Sequence, residues 1–305
     1  SSSDDSSSDD SSSDDSSSSG SGVFVVVGDS GSIVRSTDNG SNWDNATSPT
    51  ENNLQSVTFG NNTFVAVGYS GNIVRSTDNG SSFDNVTSET VSSSIHLYGV
   101  TYGNNTFVTV GKGGKIYTSS DGITWTFRTS GIGDNLMGVG FGNNTFVAVG
   151  YSGKIVRSTD NGETWDNATS PTEHKFYGID FGNNTFVAVG AGGNIVRSTD
   201  NGSSFDNVTS PNMGQNKYEV AFGNNTFVVV EHRQTIVRST DNGSSFNTAS
   251  EPGSGNNYYG VGFGNNTFVA VGSSGNIIRS TDNGSSFVNV TSPTSNQLRD
   301  VTFKE

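Results

Sequence analysis

The sequence predicts an all-β protein, a seven-bladed β-propeller of four-stranded antiparallel blades. Three observations carry that expectation. From Val23 onward the chain repeats itself: an octet such as Ser76-Thr77-Asp78-Asn79-Gly80-Ser81-Ser82-Phe83 recurs with its Asp at Asp38, Asp78, Asp121, Asp160, Asp200, Asp241 and Asp282, at spacings of 39 to 43 residues, the period of a propeller blade. Each unit falls into four short runs divided by Gly, Asn and Asp turns, and no segment of ten or more residues has helical period. The repeat also begins part-way through a unit, at a second strand, and ends on a first strand, LRDVTF. The two partial units complete one blade, so that the C-terminal strand pairs with the N-terminal one and no open seam is left.

The elements follow in order within the unit that starts at Leu54. The first strand, Leu54–Phe59, ends in Gly60-Asn61-Asn62, residues that tolerate the positive φ of a tight turn. The second, Thr63–Gly68, is an apolar run suited to a strand covered on both faces. A Gly-rich turn, Tyr69-Ser70-Gly71-Asn72, leads to the third strand, Ile73–Thr77, and Asp78-Asn79-Gly80-Ser81 turns into a polar outer strand, Ser82–Thr87. Polar residues on an outer edge discourage pairing with other chains.

Composition narrows the class. The chain has 305 residues, 40 Gly, no Cys and a net charge of −14, with a hydrophobic fraction of 30%, below the roughly 45–50% common in globular domains. Gly, Ser, Thr and Asn fill the difference. Without cysteine there is no disulfide scaffold or thiolate metal site, and an acidic chain with 15 Lys and Arg is unsuited to nucleic acid. No stretch approaches the ~20 apolar residues of a membrane-spanning helix. Residues 1–22 hold six Asp, no cation and no apolar residue, which predicts a disordered, self-repelling acidic linker; the propeller is expected over 23–305. The start at Ser reads as a fragment of a longer polypeptide or surface assembly.

The octet is similar to the Asp-box, the S-x-D-x-G-x-[ST]-[WF] hairpin of sialidase-type propellers, with Trp43, Trp125 and Trp165 in its aromatic position. With the VAVG strands before each box, the pattern over 23–305 also resembles the photosystem II assembly-factor-like bacterial propellers. The resemblance implies the fold; it implies little about activity, because this hairpin occurs in enzymes, lectins and assembly factors. The third unit, with Ser119-Ser120-Asp121-Gly122, is one residue shorter.

Seven copies of the box Asp point to a structural device, since a reaction centre needs one asymmetric constellation. Arg35, Arg75, Arg157, Arg197, Arg238 and Arg279 precede the box by three residues. Reflection across the hairpin sets Arg35 against Asp44, Arg75 against Asp84, Arg157 against Asp166 and Arg197 against Asp206, which predicts cross-strand ion pairs; a ring of arginines binding an anion is the other reading. Asn-x-Thr sequons in the first turn (Asn61, Asn104, Asn143) and outer strand (Asn45, Asn85) reflect copying of one unit, or glycan acceptors if the protein is a secreted glycoprotein.

The units diverge most in the turn between strands two and three and in the blade-to-blade loops, which share one face of the disc. That face is either a recognition rim or a rim under weak constraint. Candidate ligand-binding residues there are Tyr69, His96, Lys112, Tyr151, Lys154, His174, Glu231, His232 and Arg233, with Tyr98, Tyr177, Tyr258 and Tyr259 suited to stacking on sugar or to protein contact; several of these tyrosines start the inner strand, and core is the other reading for them. The three His residues belong to different blades, too far apart for one metal, and no cofactor is expected. The reading is a non-catalytic, extracellular or cell-surface propeller recognising a glycan or protein. A rigid structural or assembly subunit is the alternative, and a sialidase-like glycosidase, which would need clustered arginines and a paired acid and nucleophile, is a further one.

Overall fold

The computed structural model describes residues 22–212, 214–249 and 257–305; the acidic arm expected over 1–22 lies, apart from Gly22, outside the described residues. Seven four-stranded antiparallel sheets form the ring, and the helical elements among the described residues are single three-residue turns. Numbering blades by their box Asp, blade 2 runs Leu54–Gly60, Thr63–Gly68, Ile73–Ser76 and Asp84–Asn85. The inner three strands match the expectation closely. The outer strand is only two residues long, because beyond Asn85 the chain leaves the sheet for the next blade. Blade 1 is closed as expected: Leu298–Lys304 pairs antiparallel with Val23–Gly28, Phe303 opposite Phe24 and Val301 opposite Val26.

The core lies between blades. Its seven apolar clusters each draw on two neighbours; one joins Val23, Val25 and Val27 of blade 1 to Leu54, Phe64, Ala66 and Phe83 of blade 2. The second strands are buried at every residue, as strands flanked on both sides and covered on both faces must be. The Gly of the first turn has a role its turn-forming chemistry does not predict. Gly60 lies flat beneath the ring of Tyr102 in the next blade, where a Cβ would come within 2.1 Å of the ring. The positive φ values fall instead on Asn61 (48°) and Asn62 (54°). In blade 1 the corresponding residue is Lys304, whose Nζ sits 5.5 Å over the Phe59 ring.

The Asp-box is a hydrogen-bond knot. Asp78 Oδ1 accepts from the backbone N–H of Ser81 and Ser82 at 3.1 Å and from Ser76 Oγ at 2.7 Å; Oδ2 accepts from Ser82 Oγ at 2.6 Å. Ser76 Oγ in turn accepts from Gly80 N–H. Burial pushes the carboxyl up, but the serine hydroxyls and backbone N–H groups outweigh it and bring Asp78, Asp160, Asp241 and Asp282 down to about 2. The box Asn staples blade to blade: Asn39, Asn161, Asn201, Asn242 and Asn283 each donate from Nδ2 to a Thr Oγ1 of the preceding blade at 2.6 or 2.7 Å. The acceptors are the Thr of the first-turn sequons, so the Asn-Asn-Thr triplet has a folding reason of its own. These contacts also place both turns on one face, as expected.

The arginines correct one expectation. Arg35 and Asp44, and Arg75 and Asp84, are register partners, but no ion pair joins such partners among the described residues. Four of the six side chains reach across to the next box instead: Arg35 Nε donates to Asn79 O at 2.9 Å, Arg197 Nε to Asn242 O at 3.0 Å, Arg238 to Ser285 Oγ at 2.9 Å, and Arg157 to Ser203 Oγ. An exposed cross-strand pair is worth at most about 1 kcal/mol, too little to hold the guanidinium away from a carbonyl in the inter-blade groove. Blade 3 lacks this Arg; Arg128, one strand out, replaces it with a bidentate pair to Glu163 in blade 4, at 2.8 and 3.0 Å.

Blade 6 carries a substitution in two halves. Where other inner strands begin with Leu, Phe or Tyr, it has Lys217; where other second strands end in Gly, it has Glu231. The two are register partners, fully buried, and ion-paired. Lys217→Leu alone strands the carboxylate and is expected to cost about 3–5 kcal/mol, whereas Lys217→Leu with Glu231→Gly restores the pattern of the other blades and is expected to fall within about 1.5 kcal/mol of the parent; urea unfolding measures both. Removing residues 298–305 takes Leu298, Val301 and Phe303 from the seam, a loss of roughly 5–8 kcal/mol, so thermal melts are expected to shift down by roughly 15–25 °C. The box carboxyls lie below their ordinary 3.8. Their stabilisation is therefore present above about pH 4 and lost as pH falls toward about 2; melts across that window are expected to drop steeply, and less so after Asp78→Asn, Asp160→Asn and Asp241→Asn.

Candidate functional site: a tyrosine-lined central funnel

The inner strands do not run straight past the axis. In each, the pairing skips its second residue: Leu54 lies opposite Gly68 and Ser56 opposite Val67, leaving Gln55 unpaired. The same bulge falls at Tyr98, Met137, Tyr177, Tyr218, Tyr259 and Arg299. A bulge re-aims the extra side chain, and here all seven line a central cavity of about 650 Å³. Tyr69 and Tyr151, the first residues of their second-to-third-strand turns, add to its wall. Six of the chain's nine tyrosines thus surround one opening, a concentration that chance placement of Tyr on a propeller would not give.

The opening is asymmetric. On one side Tyr177, Tyr218 and Tyr259 form an arc, with ring centroids 5.6 and 5.2 Å apart. Arg299 extends it, its guanidinium 5.5 Å from the Tyr259 ring and held by Asp29 at 2.9 and 3.1 Å. On the other side His96 packs on Tyr69 at 4.6 Å, and its Nδ1 accepts from Ser70 N–H at 3.2 Å. Tyr98 meets Tyr69 edge-on at 6.4 Å. Lys175 lies 4.3 Å over the Tyr151 ring. Burial holds the phenols of Tyr98, Tyr177 and Tyr218 above their ordinary value, so they stay neutral.

Three carboxylates lie in the cavity wall. Asp180 accepts from Phe181 N–H and, across to the next blade, from Phe222 N–H at 2.7 Å. Asp300 accepts from Val301 N–H and, across to blade 2, from Ser56 Oγ and Val57 N–H at 2.8 and 2.9 Å. Glu219 accepts from Val220 N–H at 3.0 Å. Burial pushes Asp180 and Asp300 up to about 6 against the pull of these donors. Glu219 is raised well above its ordinary value, by burial first and then by the charges of Asp300 and Asp180.

The structure brings only some of the expected residues together. Tyr69, His96 and Tyr151 sit at the funnel; Lys112 and Lys154 are exposed on their turns, and His174 is exposed beside Lys175. His232 is half-buried and Arg233 exposed on the blade 6 turn, while Glu231 points into the core toward Lys217. Tyr258 is fully buried core. Among the described residues no group of three or more His, Asp or Glu could hold a metal. Sequence reasoning passed over Gln55, Met137, Tyr218, Asp180, Glu219 and Asp300 and left Arg299 unassigned. Their signal was present: within inner strands of otherwise common pattern, the second, third and fifth residues vary from unit to unit.

Comparison with known proteins supplies the family. A family model described as photosynthesis system II assembly factor YCF48 matches residues 17–184, just over half of the chain. Similar solved structures include YCF48 bound to a D1 peptide, at 15% identity over 80% of this chain and 82% of that one, with a TM-score of 0.65. YCF48 from Cyanidioschyzon merolae is similar at 16% identity over 81% and 88%, with a TM-score of 0.64, and the computationally designed Ika8 protein at 14% over 90% and 92%, with a TM-score of 0.61. At these identities the structural likeness is one of fold. No curated protein matches the sequence. The family match corrects the expected extracellular or cell-surface location, because a photosystem II assembly factor works where that complex is built and not at the cell surface. By that match the chain belongs to the family of the photosystem II assembly factor YCF48.

Proposed function

We propose that the protein is a non-catalytic, protein-binding propeller of the assembly-factor type that holds a segment of its partner in the tyrosine-lined funnel. The observation that carries this is the continuous arc of Tyr177, Tyr218, Tyr259 and Arg299. Tyr and Arg dominate the energetics of protein interfaces because they bury large area at little conformational cost while keeping a polar tip. A cavity of about 650 Å³ has the size of a site for a few side chains, and the bulges fix its walls on a rigid ring. Membership of the YCF48 family and the D1 peptide bound to one YCF48 of the same fold support the same direction.

A glycan is a poorer fit: neighbouring rings of the arc are tilted at 45 and 60° to one another, so they form no single flat platform for a sugar. For glycosidase chemistry the funnel offers one arginine, Arg299, which Asp29 already engages, and carboxylates whose oxygens accept backbone N–H groups. Binding is tested with an array of overlapping peptides from photosystem II core subunits, followed by calorimetry on the strongest, with a glycan array in parallel. Tyr218→Ala and Tyr259→Ala are each expected to weaken peptide binding about 10–100-fold, and Val288→Ser on the outer edge to leave it unchanged. Peptide binding indifferent to both tyrosines, or binding of glycans alone, overturns the reading.

A further inference from the structure

We propose that the funnel selects a cationic side chain, Lys or Arg, of the bound segment, its stem between the tyrosines and its charge among Asp180, Glu219 and Asp300. This deepens the protein-binding reading and rests on it. The three carboxylates occupy the wall of one cavity, and none has a counter-ion: the ion pairs among the described residues are Arg128–Glu163, Lys217–Glu231 and Arg299–Asp29. Buried charges elsewhere in proteins are paired. In this same chain the carboxylate introduced at Glu231 came with Lys217. A second polar group in the wall is also open: Gln55 Nε2 is buried without a hydrogen-bond partner.

Geometry supplies the rest. Glu219 and Asp300 stand at the third residue of their strands, where blades 3, 4, 5 and 7 have Gly99, Gly138, Gly178 and Gly260; the Glu219 carboxyl lies over Gly178 of the preceding blade, where a Cβ would come within 2.2 Å of its Oε1. Tyr218 precedes Glu219 and Arg299 precedes Asp300 in sequence, and all four line the same cavity with Tyr259. Cations already lie over two tyrosine faces of the wall other than that of Tyr218, Arg299 over Tyr259 at 5.5 Å and Lys175 over Tyr151 at 4.3 Å. A neutral or acidic side chain would leave three uncompensated carboxylates behind it.

The test uses the whole protein and two labelled probes, fluorescein-Gly-Ser-Arg-Ser-Gly-amide and its citrulline counterpart, which keeps the shape of Arg without its charge. Anisotropy at pH 7.5 is expected to show at least tenfold tighter binding of the Arg peptide. The preference is expected to fade by pH 5, because a bound cation favours the ionised carboxyls and Asp180 and Asp300 take up protons near 6. Of the other charged or titratable groups at the funnel, Arg299 and Asp29 pair with each other, Lys175 lies over the Tyr151 ring, His96 packs on Tyr69 with its Nδ1 accepting from Ser70 N–H, and burial holds the Tyr98, Tyr177 and Tyr218 phenols above their ordinary value. Glu219→Gln with Asp300→Asn, confirmed as folded by its melt, is expected to bind both peptides equally, while Tyr218→Ala weakens both and keeps their ratio. Equal binding of the Arg and citrulline peptides, or a preference that survives the double substitution, overturns the proposal. If the peptide array yields funnel ligands without Lys or Arg, this selectivity falls while protein binding stands; if no peptide binds, both fall.

Discussion

Every blade of this ring depends on its neighbours for cover. The apolar clusters all straddle two blades, so a single four-stranded sheet taken alone would expose both of its faces. Stability of such an array is a sum of interface terms, and an open array would leave two terminal faces without one. Pairing Leu298–Lys304 with Val23–Gly28 places the two ends of the propeller in one sheet, which turns the last interface into an ordinary one. Closure is therefore the condition on which burial of the second strands, the inter-blade staples and the central cavity all rest.

The same closure creates the funnel. Inner strands of neighbouring blades approach one another around the axis without forming a continuous sheet, so part of their backbone N–H inventory needs acceptors from elsewhere. Asp180 and Asp300 supply them across blade boundaries, to Phe222 and Val57, and Ser56 Oγ does so for Val100. These carboxylates are at once part of the fold and part of the cavity wall. Their raised protonation range is the consequence of that double position: enough donors to keep them in place, too few to offset burial.

Fold and closure were legible in the sequence because each rests on local chemistry that repeats. Asp78, Asn79 and Gly80 announce a turn that their hydrogen bonds and positive φ values then make, and the half-units at the two ends have one economical interpretation. The funnel was not legible in the same way. A bulge moves one residue out of register, and LQSVTF reads as a plain strand whichever residue is skipped, so that Tyr218 or Arg299 could not be aimed from sequence. The Arg–Asp reflection fixed the register correctly and the interaction wrongly, since it considered one blade while the guanidinium answers to the next. Glu231 reads as a rim residue from its place beside a turn, and Lys217, the partner it is buried with, lies 14 residues earlier in the chain.

The pattern of divergence separates the two kinds of position. From blade to blade, substitutions at packed positions come in matched pairs: Lys217 with Glu231, and Arg128 with Glu163 where Thr118 replaces the usual Arg. A close-packed interface accepts a new side chain only when something opposite changes with it. Around the axis one structural position changes from blade to blade: Gln55, Tyr98, Met137, Tyr177, Tyr218, Tyr259 and Arg299 all line the cavity, the tyrosines of the arc packing on one another and Arg299 pairing with Asp29. On the proposed protein-binding reading, this variable position at the centre of the disc is the one that the bound segment meets.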